Sequence, residues 1–131
     1  MAGAVAVLMV ETEVPIMMSC ADVAIPKGTI LKLNSPFTVA ATSAVNDLFG
    51  GIAAEEKISG DGKLMIAVYR GGIFKVEAGS TVTVGRPQVV HQLNELTNTA
   101  ANDSDLGYVF GVALESATDG QFFMLELGRG S

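Results

Sequence analysis

The segment from Gly50 to Gly79, GGIAAEEKISGDGKLMIAVYRGGIFKVEAG, constrains the fold of this chain more than any other. Its period is two, not 3.6, so it reads as strand. The LMIAVY run at Leu64 to Tyr69 is apolar on both faces, as in a strand covered by a layer on either side. A Gly-Asp-Gly turn precedes it, where glycine tolerates positive φ. Gly71-Gly72 marks a bulge or sharp bend of the kind found where a strand turns a barrel corner. A segment of this kind belongs in a wall of sheet. It holds no Cys, no His and no pair of groups set for catalysis.

The same period runs through most of the remaining chain. Gly28 to Leu33 alternates, with Thr29, Leu31 and Leu33 on one side and Ile30 and Lys32 on the other. Asn34-Ser35-Pro36 closes that strand as a turn, and Phe37 to Ala41 forms a short strand after it. Ile52 to Ile58 alternates, Val82 and Val84 alternate with threonines, and Gln88 to His91 resumes after the break at Arg86-Pro87. Leu93 to Leu106 is rich in Asn, Thr and Asp and reads as a loop. The last hairpin, with Tyr108, Phe110, Val112 and Leu114 on one face, is expected to turn at Asp119-Gly120. A two-residue turn there sets Leu114 opposite Leu125, Val112 opposite Leu127 and Ser116 opposite Phe123. Many short strands with regular turns indicate an all-β sandwich or small barrel. At 131 residues the chain is expected to be one domain overall, with residues 1–24 as an N-terminal arm or first strand and 25–131 as the barrel. No internal repeat is legible. Pro15 restricts the arm to an extended form. Val14, Pro15, Ile16, Met17 and Met18 are its candidate contact residues, packing back on the barrel or reaching onto a neighbour.

Composition narrows the function classes. Apolar residues make up 49% of the chain and charged ones 17%, against roughly 25% charged in ordinary soluble domains. A small domain has much surface for its volume, so part of this apolar material is expected on the outside, covered by neighbouring subunits. Fourteen acidic against eight basic residues leave a net charge of -6. That balance argues against nucleic acid and against an anionic membrane surface as partners, since both call for a Lys/Arg surplus. The longest uncharged run, Leu33 to Asn46, falls short of the ~20 apolar residues that span a bilayer. The apolar start MAGAVAVLMV has no basic residue, and Glu11 and Glu13 follow it, so no secretory signal is expected. Cys20 has no partner for an internal disulfide; it fits folding in a reducing cytoplasm and reads as a small buried hydrophobe.

Catalytic chemistry finds little to work with. His91 is the single histidine, so a triad built on a histidine base would have to use it, and no nucleophile elbow is present. One His and one Cys cannot make a histidine-rich metal site. Glu55 and Glu56 are adjacent and point to opposite strand faces. No Walker loop or dinucleotide fingerprint occurs. No catalytic, cofactor or metal site is therefore expected, and the chain is not expected to be an enzyme. Tyr69-Arg70-Gly71-Gly72-Ile73 resembles the D-x-D-Y-R-G-E-I strand of trimeric dUTP pyrophosphatases. The aspartates of that motif fall on Ile66 and Val68 here, which cannot orient water or support magnesium.

Five segments together resemble the small capsid decoration (cement) proteins of tailed bacteriophages. They are IPKGTILKL at Ile25 to Leu33, GGIAAEEK at Gly50 to Lys57, GDGK at Gly60 to Lys63, IAVYRGGIF at Ile66 to Phe74, and GYVFGVALESATDGQFFMLEL at Gly107 to Leu127. The resemblance implies a β-barrel or β-tulip-like domain with an extended N-terminal arm. It would be made in the host cytoplasm and carried on the exterior of the virion capsid. It implies a homotrimer whose partners are its own copies and the major capsid protein, holding the head against the pressure of packaged DNA. Val14 to Met18 become candidate capsid or subunit contacts. Another virion part, such as a spike base or tail-tube accessory, is the alternative. A ligand-binding β domain is a further one, although a sugar platform is hard to build with no Trp and two Tyr.

Overall fold

The computed structural model describes residues 4–45, 47–98 and 109–128, and these residues form strands, turns and connections without a helix. The strands are β1 (Val7–Val10), β2 (Ile16–Ser19), β3 (Ile30–Ser35), β4 (Thr38–Ala41), β5 (Phe49–Ala53), β6 (Met65–Tyr69), β7 (Gly72–Ala78), β8 (Pro87–Gln92), β9 (Glu95–Asn98), β10 (Gly111–Ala113) and β11 (Phe122–Leu127). The protein is all-β, as its periodicity indicates. The wall, however, closes twice. Strands β2-β4-β3-β5-β6 form a first closed barrel, and β7-β11-β10-β8-β9 a second, with β1 added to the outside of β7. Each barrel is sealed by one parallel pairing, β2 with β4 and β7 with β9, in a sheet otherwise antiparallel. The chain passes from one to the other at Arg70-Gly71, between β6 and β7, where the two glycines mark a bend.

The second barrel repeats the first, against the expectation of no internal repeat; Gly51-Ile52-Ala53 and Gly111-Val112-Ala113 are its trace in the sequence. The isolated bridge between Ile25 and Lys57 recurs between Val82 and Ala117. Gly28 and Gly85 take the same left-handed turn, with φ of 89° and 85°. Their N–H groups donate to Ala53 and Ala113, respectively. Glu55 accepts from the Ala67 N–H at 2.8 Å, and Glu115 accepts from the Met124 N–H at 3.0 Å. At the tip of the β3–β4 turn Phe37 has a φ of 55°, and at the tip of β8–β9 Asn94 has a φ of 61°. The repeat lives in backbone hydrogen bonds and turn geometry. Outside a few positions such as Gly28/Gly85 and Glu55/Glu115, the side chains have diverged.

Several local expectations change accordingly. Leu93 and Asn94 make a tight turn, and Glu95–Asn98 is a wall strand rather than loop. Leu96 faces inward there and is fully buried, which outweighs the polar composition around it. Residues 99–108, including Tyr108, lie outside the described residues. The final hairpin turns at Asp119-Gly120 as expected, but its register is shifted by one: Ala113 opposes Leu125 and Gly111 opposes Leu127. Residues after Ala113 leave the ladder so that Ala117 can bridge Val82 in the neighbouring wall. The inward side chains are therefore Ala113, Leu125 and Leu127, and Leu114 is exposed. The same departure ends β5 at Ala53, short of Ile58.

Burial explains how the barrels meet. Met18, Leu31, Val39, Ile66 and Val68 fill the first. The second is filled by Phe74, Val76, Leu96, Phe123 and Leu125, and this core extends to Ile30 and Ile52 on the outer wall of the first. Strand β3 is thus buried on both faces, Leu31 inward and Ile30 outward. Burying Ile30 and Ile52 in this joint contributes on the order of 1.5–3 kcal/mol each.

Candidate functional site

Barrel strands have two lateral edges, and an edge without a neighbour is a row of unpaired N–H and C=O groups. In the second barrel, β7 pairs with β11 along one side. On the other side β9 covers its end at Glu77 and Ala78, and β1 covers its beginning, with Val7 opposite Lys75 and Leu8 opposite Phe74. In the first barrel β2 occupies the position of β7. It pairs with β6 from Ile16 to Ser19, and with β4 only at Ser19. Among the described residues no strand takes the place of β1 beside Ile16 and Met17. The start of β2 is an open edge.

This edge is where the sequence placed its candidate contacts. The N-terminal stretch is extended and packs on the chain's own barrels: Val7–Val10 straps the second, and Ile16–Ser19 is a wall of the first. Alternation then separates the candidates. Met18 points into the first barrel and is fully buried, so it is a core residue. Val14, Ile16 and Met17 are exposed by 74, 41 and 48% of their surface, and Pro15 is half-buried. Across from Met17 lie Leu64, Met65 and Ala67, which with Glu55 and Lys63 line a shallow groove of about 420 Å³. The sequence reading missed Leu64 and Met65. Their place in an apolar run pointed to a strand covered on both faces, whereas β6 has one wet face.

Beside this surface is a charged cluster. Lys57 is 3% exposed, and its Nζ donates to Asp22 at 2.7 Å, to Asp61 at 2.6 Å and to the Ile58 carbonyl at 3.1 Å. Asp22 also accepts from the N–H groups of Gly60 and Gly62, at 3.0 and 3.2 Å. The hydrogen bond from Lys57 lowers the pKa of Asp22, and lowers that of Asp61 to about 2. Burial works against the Lys57 charge, but hydrogen bonds to the two carboxylates outweigh it and its pKa is raised. All three ammonium donors are engaged, so the cluster holds the Gly60–Lys63 turn in place. The second barrel has Ala117 at the position of Lys57. Cys20 sits in the first core, where burial raises the pKa of its thiol. His91 packs against Gly79, where an added Cβ would come within 2.5 Å of the ring. Among the described residues no three His, Cys, Asp or Glu side chains gather as a metal site would require.

The fold has a counterpart among solved structures. The chain is similar to the head fiber gp8.5 N base of bacteriophage phi29, with a TM-score of 0.58 and 21% identity, over 90% of this chain and 96% of that one. At that identity the likeness is one of fold. No protein-family model matches the chain, and no curated protein matches it.

Proposed function

We propose that this protein is a structural component of a tailed-phage virion that seats on the outside of the head as a homotrimer and stabilises the shell. The observation that carries this reading is the open edge of β2 with its apolar surroundings. The strand position that β1 covers in the second barrel is bare in the first, next to exposed Val14, Met17, Leu64 and Met65. Such an edge accepts a strand from a partner by backbone pairing, with side-chain pockets supplying selectivity. Three linked copies touching several major capsid proteins multiply weak contacts through effective concentration. Binding only the expanded shell stabilises that shell by mass action. The likeness to a head fiber base supports the same location, and it favours one second reading, in which the chain is a platform for a fibre rather than a cement protein.

Co-sedimentation with expanded and unexpanded empty heads, together with solution mass, tests the proposal. A trimer that pellets with expanded heads and raises their rupture temperature supports cementing. Binding without any gain in rupture temperature favours the platform. A chain that stays in the supernatant with both kinds of head defeats both readings.

A further inference from the structure

The joint between the two barrels is not symmetric. The mouth of the second barrel packs against the side of the first, so each barrel uses a different surface. Asn94, at the tip of the β8–β9 turn, is buried, and its Oδ1 accepts from the Ile30 N–H at 2.8 Å. Phe74, at the mouth, meets Tyr69 edge-on with ring centroids 5.5 Å apart. On the receiving side Ile30 and Ile52 are each 1% exposed.

The repeat places an unused copy of each surface on the opposite barrel. Phe37 stands at the position of Asn94, and Ile16 at that of Phe74. They are 59 and 41% exposed, where their counterparts are buried. Pro87 stands at the position of Ile30 and opposes Val112, as Ile30 opposes Ile52. Both Pro87 and Val112 are half-buried rather than buried. The mouth of the first barrel and the side of the second are thus a plug and a seat that no described residue fills.

The chemistry at the two pairs of positions is matched. Where the seat offers the Ile30 N–H, the plug carries Asn94, an acceptor. Where the seat carries Pro87, which has no N–H to satisfy, the plug carries Phe37, an apolar ring. Phe37 holds a φ of 55°, a strained conformation for an aromatic residue. The ring is 59% exposed, and no described residue of its own chain buries it in return.

We propose that the mouth of the first barrel, led by Phe37 and Ile16, docks onto the side of the second barrel of another copy at Pro87 and Val112. The contact repeats the joint already present within each chain. It is heterologous, so successive copies close into a ring if the rotation allows. In a trimer the result is a ring of six barrels joined alternately within and between chains. This deepens the self-association part of the proposed function and rests on no contact with a shell.

The test uses the full chain. Phe37→Asp is expected to lower the mass measured by light scattering toward a single copy, at least tenfold in apparent affinity. Its far-ultraviolet spectrum should stay that of the wild type. Phe37→Gly, which suits positive φ, should weaken association, and at dilutions where both chains are single its unfolding midpoint should be no lower than wild type, which guards against a misfolded variant. A Phe37→Cys/Pro87→Cys chain, with Cys20 replaced by alanine, should give a ladder of covalently linked copies on mild oxidation. Neither single cysteine variant should. Wild-type mass in Phe37→Asp overturns the inference, as does a double-cysteine chain that remains single. A wild-type chain that associates through Phe37 yet ignores heads would sink the head-binding reading and leave this interface standing. Head binding by a trimer indifferent to Phe37 would do the reverse.

Discussion

The two barrels follow one backbone plan and are covered differently. The second is closed off: β1 covers the edge of β7, the first barrel covers its mouth, and a large aromatic core fills it. Among the described residues the first is left open at the same places, with a bare edge at β2 and a bare mouth at Ile16 and Phe37. In the second barrel the outer position matching Met17 holds Lys75, whose Nζ lies 5.8 Å from the Phe122 ring centroid. The two walls are alike in backbone, and they differ in what covers them: β1 and the first barrel cover the second, and no described strand covers the same places on the first. The lesson is that two copies of one unit in a chain need not be covered alike: an edge or mouth buried in one copy is exposed in the other, because each neighbour covers only one of them.

The strongest way to break this comparison is to attack the joint. Phe110 is fully buried and packs edge-on against Phe49, with centroids 5.0 Å apart. Phe110→Ala is expected to cost about 3–5 kcal/mol, with both barrels melting in one calorimetric transition. Two separated transitions would mean that the barrels are independent.

Next comes the Lys57–Asp22–Asp61 cluster of the first barrel, where the second has Ala117 in place of the lysine. Lys57→Ala leaves Asp22 and Asp61 facing each other without their cation. It should lower the thermal midpoint by roughly 5–10 °C. The pH dependence has a definite sign. Both carboxylates have depressed pKa values in the folded chain, Asp61 to about 2. Their contribution is complete above the unfolded carboxylate value of about 4 and is lost as pH falls toward about 2. The raised pKa of Lys57 keeps its contribution complete below its ordinary value, to be lost only as pH rises through the raised one. Midpoints measured from pH 2 to 7 should therefore converge for wild type and Lys57→Ala at the acid end.

The turn tips sharpen the comparison further. Asn94→Ala removes the acceptor of the buried Ile30 N–H and should cost about 1–3 kcal/mol in denaturant titration. Phe37→Gly at the matching tip should be neutral or stabilising by about 1 kcal/mol or less. Equal losses at both tips would erase the distinction between a filled seat and an empty one. The smallest effect on stability belongs to Met17→Lys, which copies the second barrel and should fall within about 0.5 kcal/mol of wild type. Its consequence should appear in head co-sedimentation, which is expected to weaken.

Much of the wall was legible along the chain. Alternation located β3 and β8, an apolar run located β6, and the Gly71-Gly72 pair located the bend that separates it from β7. The strand β9 was not, because Asn94, Thr97 and Asn98 speak for a loop and only burial of Leu96 makes them a wall. The register of the last hairpin was misjudged because turn rules assume that a strand stays in its ladder, whereas Glu115 to Thr118 leave it to reach Val82. Of the candidate site, Val14, Ile16 and Met17 lie on the exposed surface, while Met18 belongs to the core.

Local preferences of neighbouring residues were enough to dictate an all-β chain, since a period of two and well-placed glycines act over a few residues. How many barrels that chain makes, which strand edge stays bare, and which of two equivalent turn tips is buried depend on contacts between residues far apart. Ile30 meets Asn94, and Lys57 meets Asp22, across distances along the chain that no local pattern encodes.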